Sequence, residues 1–375
     1  MGTKVGICWD FAMHPDHRKL IEDCFQFAFD EAHEQGLLDR PIELIWRQAD
    51  GLPRGDSIDV VRAWRQLAQE DGCLAIFGPV ISDNALSLRT HIEEEGRVPT
   101  LSWAASESWP GHWCFALPQG SLASEAFRIA NYLAGQGLRR VAVLSERSVI
   151  GPECVAAFAK ACMREGLTIV AEESIPQTDS DLSHGIARLR DHAPDAIAYF
   201  GFGLPAVKIN GHLAALGWDP VRVMTTAFLT APVMPTGWQG VAGWFGMDVY
   251  DEENVIGQDF LTRFEAAKGY RPENFLAVHS YDSGRVIAHA ISEGHPLSPA
   301  GVRNGFEQIR MLPAAAGGPG TLIEFRPHDH VGWLGTDFLV LNGVRNDDGP
   351  HSLLGPSGTY LVERYRARPQ GGRTR

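Results

Sequence analysis

The 375-residue chain contains no stretch of about 18 uninterrupted apolar residues, so no transmembrane helix is expected. Lysine is scarce: Lys4, Lys19, Lys160, Lys208 and Lys268 are the only five, and none follows a glycine. That excludes the G-x-x-x-x-G-K-[ST] phosphate loop. No G-x-S-x-G elbow occurs, which removes the nucleophile turn of α/β hydrolases. His33-Glu34 is followed by Gln35-Gly36-Leu37, so H-E-x-x-H is absent as well. The six cysteines (Cys8, Cys24, Cys73, Cys114, Cys154, Cys162) form no C-x-x-C pair and no zinc spacing. They lie in apolar stretches and read as buried, reduced thiols.

Hydrophobic residues make up 44% and charged residues 21%, ordinary globular usage that excludes a disordered, collagen-like or coiled-coil chain. At about 150 residues per domain the length predicts two domains. The net charge of −13 argues against nucleic acid or an anionic membrane as the main partner, since each needs a basic footprint. No basic segment, apolar core and small-residue cleavage site precedes the first strand-like stretch. The expectation is a cytoplasmic location for the sequence as written, or a periplasmic or cell-surface one if an export signal was trimmed.

Short apolar runs alternate with amphipathic helices. Lys4–Cys8 reads as a strand and His17–Gln35 as a helix, with Leu20, Ile21, Cys24, Phe27, Ala28 and Ala32 on one face. Strands follow at 42–46, 74–77 and 98–101, with helices at 56–69 and 84–94. After Pro118 the pattern restarts: strands at 141–144, 168–171, 196–200 and 221–225, helices at 124–134, 152–165, 182–192 and 205–216. Two long helices (255–268, 275–293) and strands near 322–325, 338–341 and 360–362 complete the chain. Such alternation predicts parallel pairing with right-handed crossovers. Irregular seams fall at Leu117–Gly120 and Met247–Asn254.

Gly201-Phe202-Gly203-Leu204-Pro205-Ala206 fits G-x-G-x-x-A after a strand. No acid ends the next strand to hold a ribose, and Pro205 removes an N–H where phosphate needs donors. A tight strand-to-helix turn is the better reading, and no cofactor is expected. His14 with His17, and His328 with His330, are possible metal ligands, but both pairs sit in loops without further donors fixed by sequence. No metal is expected.

Several spaced segments carry a resemblance. Ala75-Ile76-Phe77-Gly78-Pro79-Val80-Ile81-Ser82 is similar to the third strand and ligand loop of type I periplasmic binding proteins. Val98-Pro99-Thr100-Leu101-Ser102-Trp103-Ala104-Ala105-Ser106 resembles their next strand end. Cys114–Pro118, Arg140–Leu144 with Ile150-Gly151, Asp195–Gly201 and Ala277–Asp282 follow in the family's order. The chain thus resembles that family, in particular its leucine/isoleucine/valine-binding branch of ABC-transporter receptors. The resemblance implies an α/β fold of two doubly wound parallel-sheet lobes joined by three crossovers, near 117–120, 247–254 and 326–331. Lobe 1 would comprise 1–118 plus 252–327, lobe 2 would comprise 119–251 plus 328–366, and 367–375 would be a flexible tail.

The resemblance also implies a site between the lobes. Ser82, Asp83 and Asn84 fall at a helix start, Ser102, Trp103, Ala104 and Ser106 on the neighbouring strand end, and Trp9 after the first strand. Ile150, Phe202 and Phe228 fall near second-lobe positions that contact ligand. For the serines the competing reading is helix capping alone, and for the apolar residues ordinary core. Ala227–Leu229 offers no acid where amino-acid receptors of the family hold an α-ammonium. Simple amino acids are therefore expected to bind poorly, and an aromatic or aliphatic acid or an amide better. The function implied is a non-catalytic receptor that closes over one small molecule and delivers it to an ABC permease. The alternative is a cytoplasmic sensor of the same fold acting on a regulatory protein, similar to the amide-responsive regulators of amidase operons.

Overall fold

The computed structural model describes residues 2–178, 181–234, 236–272, 274–344 and 362–365. The expected tail at 367–375 and most of the strand placed at 360–362 lie outside the described residues.

The first half builds a five-stranded sheet in the order β2-β1-β3-β4-β5, from β1 (Thr3–Trp9), β2 (Ile42–Gln48), β3 (Ala75–Phe77), β4 (Thr100–Ser102) and β5 (Cys114–Ala116). Every pair in it is parallel. Parallel neighbours need crossover connections. These contain α1 (Pro15–Glu34), α2 (Ser57–Arg65) and α3 (Ser82–Thr90). α1 starts after His14, whose ring accepts from the Asp16 N–H, with Pro15 in the first turn. The helices expected at 56–69 and 84–94 end as regular α-helix at Arg65 and Thr90, and their last turns widen to π geometry over 66–70 and 91–96. β5 abuts the first seam and, at three residues, is too short to show a period in the sequence.

The second sheet has seven strands in the order β14-β13-β10-β9-β8-β6-β7. These are β6 (Arg140–Glu146), β7 (Thr168–Ile175), β8 (Ala196–Phe200), β9 (Val221–Met224), β10 (Trp244–Asp248), β13 (Val340–Val344) and β14 (Val362–Tyr365). β7-β6-β8-β9-β10 run parallel. β13 and β14 are antiparallel additions, so the sheet is mixed rather than wholly parallel. Its connections carry α4 (Leu122–Gly135), α5 (Gly151–Glu165), α6 (Ser183–Asp191) and α7 (Ala206–Ala215). The stretch expected to be irregular at 247–254 begins inside β10.

α8 (Val255–Lys268), α9 (Phe275–Ser292) and α10 (Pro299–Phe306) then return to the first sheet. A Cβ on Gly284 of α9 would lie 2.8 Å from Ala28 Cβ of α1, so the two helices approach at small residues. β11 (Leu312–Pro313) and β12 (Leu322–Ile323) form a short ladder. The third change of sheet was expected at 326–331. There, however, Ala116 N–H donates to His330 O and Gly332 N–H to Ala116 O, extending the first sheet past β5. Backbone pairing holds this segment on the first sheet, and the chain crosses only beyond Trp333.

Candidate functional site

The ends of β1, β3 and β4 face the ends of β6, β8 and β9 across a crevice, as expected where parallel strands stop beside helix starts. Asp10, directly after β1, organises the first side. Its carboxylate accepts from Val80 N–H (2.9 Å), Ile81 N–H (3.0 Å) and Asn84 Nδ2 (2.8 Å). This ties β1 to the start of α3 and fixes Ser82 and Asp83 at the crevice. Burial pushes the Asp10 carboxyl up to about 6, although the three bonds oppose that rise.

Successive residues of α3 point about 100° apart, so Ser82, Asp83 and Asn84 cannot all face one space. Ser82 and Asp83 line the crevice. Ser82 Oγ accepts from Ala105 N–H at 3.0 Å. Asn84 does not line it. Its amide bridges Asp10 and Leu52, and Leu52 N–H donates to Asn84 Oδ1 at 2.9 Å. The next segment alternates, as extended chain must. Trp103 and Ala105 face the crevice, whereas Ser102 and Ala104 face away. Ser102 Oγ donates to Pro79 O and accepts from Ala104 N–H at 2.9 Å. Trp103 is anchored by Nε1 donating to Ser283 Oγ (2.8 Å) and by stacking on His279, centroids 4.4 Å apart. Ser106 sits at the seam, where its Oγ donates to Glu153 Oε2 of α5 at 3.2 Å.

On the second side Glu146 ends β6. It accepts from Tyr199 OH and, at 2.7 Å, from Gly203 N–H. The Gly201–Ala206 turn therefore directs an N–H onto a carboxylate, which is incompatible with a phosphate cradle at that donor. Gly203 has φ +107°, and a Cβ there would lie 2.4 Å from Ala227 O. Phe202 lines the crevice and meets Phe11 of the first side edge-on at 5.7 Å. Ile150 and Trp9 line it as well. Phe228 does not: it is buried against Trp238 (4.9 Å) and the face of Gly246, whose Cβ would fall 2.2 Å from Phe228 Cγ. Thr226 and Leu229, three residues apart on a 3₁₀ turn, take the inward face instead.

The chamber has a volume of about 100 Å³ and is partly open to the outside. That is smaller than the roughly 150 Å³ hole that binds benzene in an engineered core. Trp9, Phe11, Trp103, Phe202, Leu229 and Phe275 supply its apolar walls. Sequence reasoning missed Phe11, Gln119, Glu125 and Gln177. Glu125 corrects an expectation. No acid lies at 227–229, but Glu125, in the first turn of α4 after the Ser121 cap, brings a buried carboxylate to the same chamber. Thr226 N–H donates to its Oε1 at 2.6 Å, while Oε2 has no partner. Burial pushes this carboxyl up to about 7. The chamber therefore does not lack an acid for an α-ammonium, and the expected poor binding of simple amino acids on that ground does not follow.

The histidine pairs show no metal geometry. His14 caps α1. His330 is buried, stacked on Phe115 at 4.1 Å, with one ring nitrogen on Gly111 O and the other 3.0 Å from Glu307 Oε1. Among the described residues no group of three His, Cys, Asp or Glu side chains could hold a metal ion. No helix among them is long and apolar enough to cross a membrane.

Two α/β units whose sheets face each other through their strand ends, with a chamber between them lined from both, define a two-lobed ligand-binding protein. A family model described as periplasmic binding protein matches residues 18–342, and the chain belongs to that family. Its fold is that of the type I members. The type 1 periplasmic binding protein from Bordetella pertussis Tohama I is 19% identical, with 97% of this chain and 100% of that one covered and a TM-score of 0.81. An ABC transporter substrate-binding protein from Desulfitobacterium hafniense, solved in complex with Leu, is 18% identical (97% and 100% covered, TM-score 0.77). The leucine binding protein LivK from Thermotoga maritima MSB8 is 17% identical (92% and 96% covered, TM-score 0.75). No curated protein matches the chain.

Proposed function

We propose that this protein is the solute-binding receptor of an ABC transporter, holding one small organic molecule between two lobes without transforming it. The supporting observation is the chamber itself, lined from both sheets and bridged by contacts that span the crevice: Phe11 on Phe202 and Ser106 on Glu153. A ligand touching both walls favours the closed form, and closure presents the surface a permease would recognise. The two lobes are proposed as 1–118 plus 252–327 and 119–251 plus 328–366, with 328–333 reassigned to the first lobe because it pairs with β5. In this reading the protein acts outside the cytoplasm.

The candidate ligands are amino-acid-like molecules, aromatic or aliphatic acids, and amides. No Lys, Arg or His lines the chamber, whereas Asp83 and Glu125 do. This favours ligands that bring N–H donors. Native mass spectrometry of the purified protein tests the reading. A co-purifying small molecule that is displaced, or a thermal shift with one member of a panel of amines, amides and amino acids, is the expected outcome. No binding by any class would overturn it.

A second reading, a cytoplasmic sensor of the same fold acting on a protein partner, draws support from the six free and buried cysteines. Cell fractionation of the native gene product separates the two.

A further inference from the structure

The chamber is unbalanced in charge. Its lining includes two carboxylates, Asp83 and Glu125, and no basic side chain. Both residues are almost wholly buried, 3% and 0% exposed, and each has one oxygen without a hydrogen-bond partner: Asp83 Oδ1 and Glu125 Oε2. Their other oxygens are held from the second sheet's side, Asp83 Oδ2 by Gln177 Nε2 at 3.2 Å and Glu125 Oε1 by Thr226 N–H at 2.6 Å. The Val149 and Ile150 amides also face Asp83, yet neither completes a bond to Oδ1. A buried charge without a partner is costly, so two such oxygens at the wall of one chamber call for positive charge or N–H donors from a guest.

The same walls are poor for an anion. Three backbone donors at the walls are already occupied within the protein: Ala105 N–H by Ser82 Oγ, Thr226 N–H by Glu125 and Gly203 N–H by Glu146. Trp9 Nε1 and Ser148 Oγ are buried without partners. Both are neutral groups and cannot offset an anion beside two acids. Resting on the receptor reading above, we infer that the ligand is a compact aliphatic diamine, with one ammonium on Glu125, the other on Asp83, and its short carbon chain against the aromatic walls. The small chamber agrees with a spacer of a few carbons and disfavours a bulky aryl acid.

Calorimetric titration of the full chain with 1,4-diaminobutane, 1,5-diaminopentane, 1-aminobutane, pentanoate and L-leucine tests this. The expected order is a diamine at least tenfold tighter than 1-aminobutane, with pentanoate weakest. Glu125→Gln should weaken both amine classes, and Asp83→Asn should cost the diamines at least tenfold more than it costs 1-aminobutane. A pH series on the unaltered protein needs no variant to fold. Diamine affinity should rise at least tenfold from pH 5.5 to 8 as Glu125, pushed up to about 7 by burial and faced by Thr226 and Cys154, loses its proton. Pentanoate or leucine binding more tightly than every diamine, or diamine affinity falling with pH, would overturn the inference. If that tighter binding is lost in Trp9→Ala, the receptor reading stands and only the charge assignment fails. If nothing on the panel binds and no small molecule co-purifies, both fail.

Discussion

Gln177, just past β7, donates from Nε2 to Oδ2 of Asp83 at the start of α3, a 3.2 Å bond between residues 94 apart in sequence. It joins the two sides of the crevice at the wall of the chamber. Glu153 of α5 makes a parallel link, accepting from Ser106 Oγ at 3.2 Å and from Glu107 N–H at 3.3 Å. In a receptor that opens and closes as proposed, such bonds would form only in the closed state and so set how much of it is present without ligand.

Replacing Gln177 by alanine removes one of these links at about 1 kcal/mol. The expected result is a ligand dissociation constant raised about fivefold and a larger radius of gyration for the ligand-free protein by small-angle X-ray scattering. The thermal midpoint should move little, because neither sheet's core is touched.

Glu146 predicts a pH dependence of stability. Burial pushes its carboxyl from 4.5 up to about 7, against the bonds from Tyr199 and Gly203. Between those values the folded chain binds the proton more tightly than the unfolded chain, so stability falls as pH rises through this window. The full cost, roughly 3 kcal/mol, is present above pH 7. Asp10 and Glu125 shift the same way. His279, which burial lowers to about 3, works in the opposite sense, its contribution being lost as pH falls below about 6.5. Glu146→Gln should therefore narrow the difference in melting temperature between pH 6 and pH 8, as read by differential scanning calorimetry. An unchanged difference would refute the assignment.

Gly203→Ala should lower the urea midpoint by the equivalent of at least about 2 kcal/mol, through a left-handed backbone and a Cβ at 2.4 Å from Ala227 O. Gly217→Ala is the control. There φ is +56° and nothing lies within 4 Å, so only the conformational cost of about 1 kcal/mol applies.

His279→Ala removes a ring stacked on Trp103 and the 2.8 Å contact between Nε2 and Leu117 O. The expected loss is about 2–4 kcal/mol in chemical denaturation. Ligand affinity should fall as well, since Trp103 loses its backing at the chamber wall.

What the sequence carries most clearly is period. The 3- and 4-residue spacing of α1 and the short apolar runs of β1, β6 and β8 announce helix and buried strand, because each side chain's exposure follows local backbone geometry. Trp9, Ser82, Asp83, Trp103, Ile150 and Phe202 reach the chamber because they stand at strand ends or helix starts, places the alternating pattern locates. Facing is less legible. Asn84, Ser102 and Ala104 neighbour lining residues and point elsewhere, and Phe228 fills core, since one residue's step turns a side chain by about 100° on a helix and reverses it on a strand.

Glu125 shows what the sequence alone could not decide. In sequence it is an acid in the first turn of a capped helix, favoured there by the helix dipole and unremarkable. Only the packing of α4 beside Thr226, about a hundred residues onward, strips water from its carboxyl and sets it in the wall of the chamber. Composition and period determined two α/β units and where their strands end, and the resemblance of spaced segments placed the expected site between them. The charge of the chamber was decided by tertiary structure, because desolvation depends on neighbours distant in the chain.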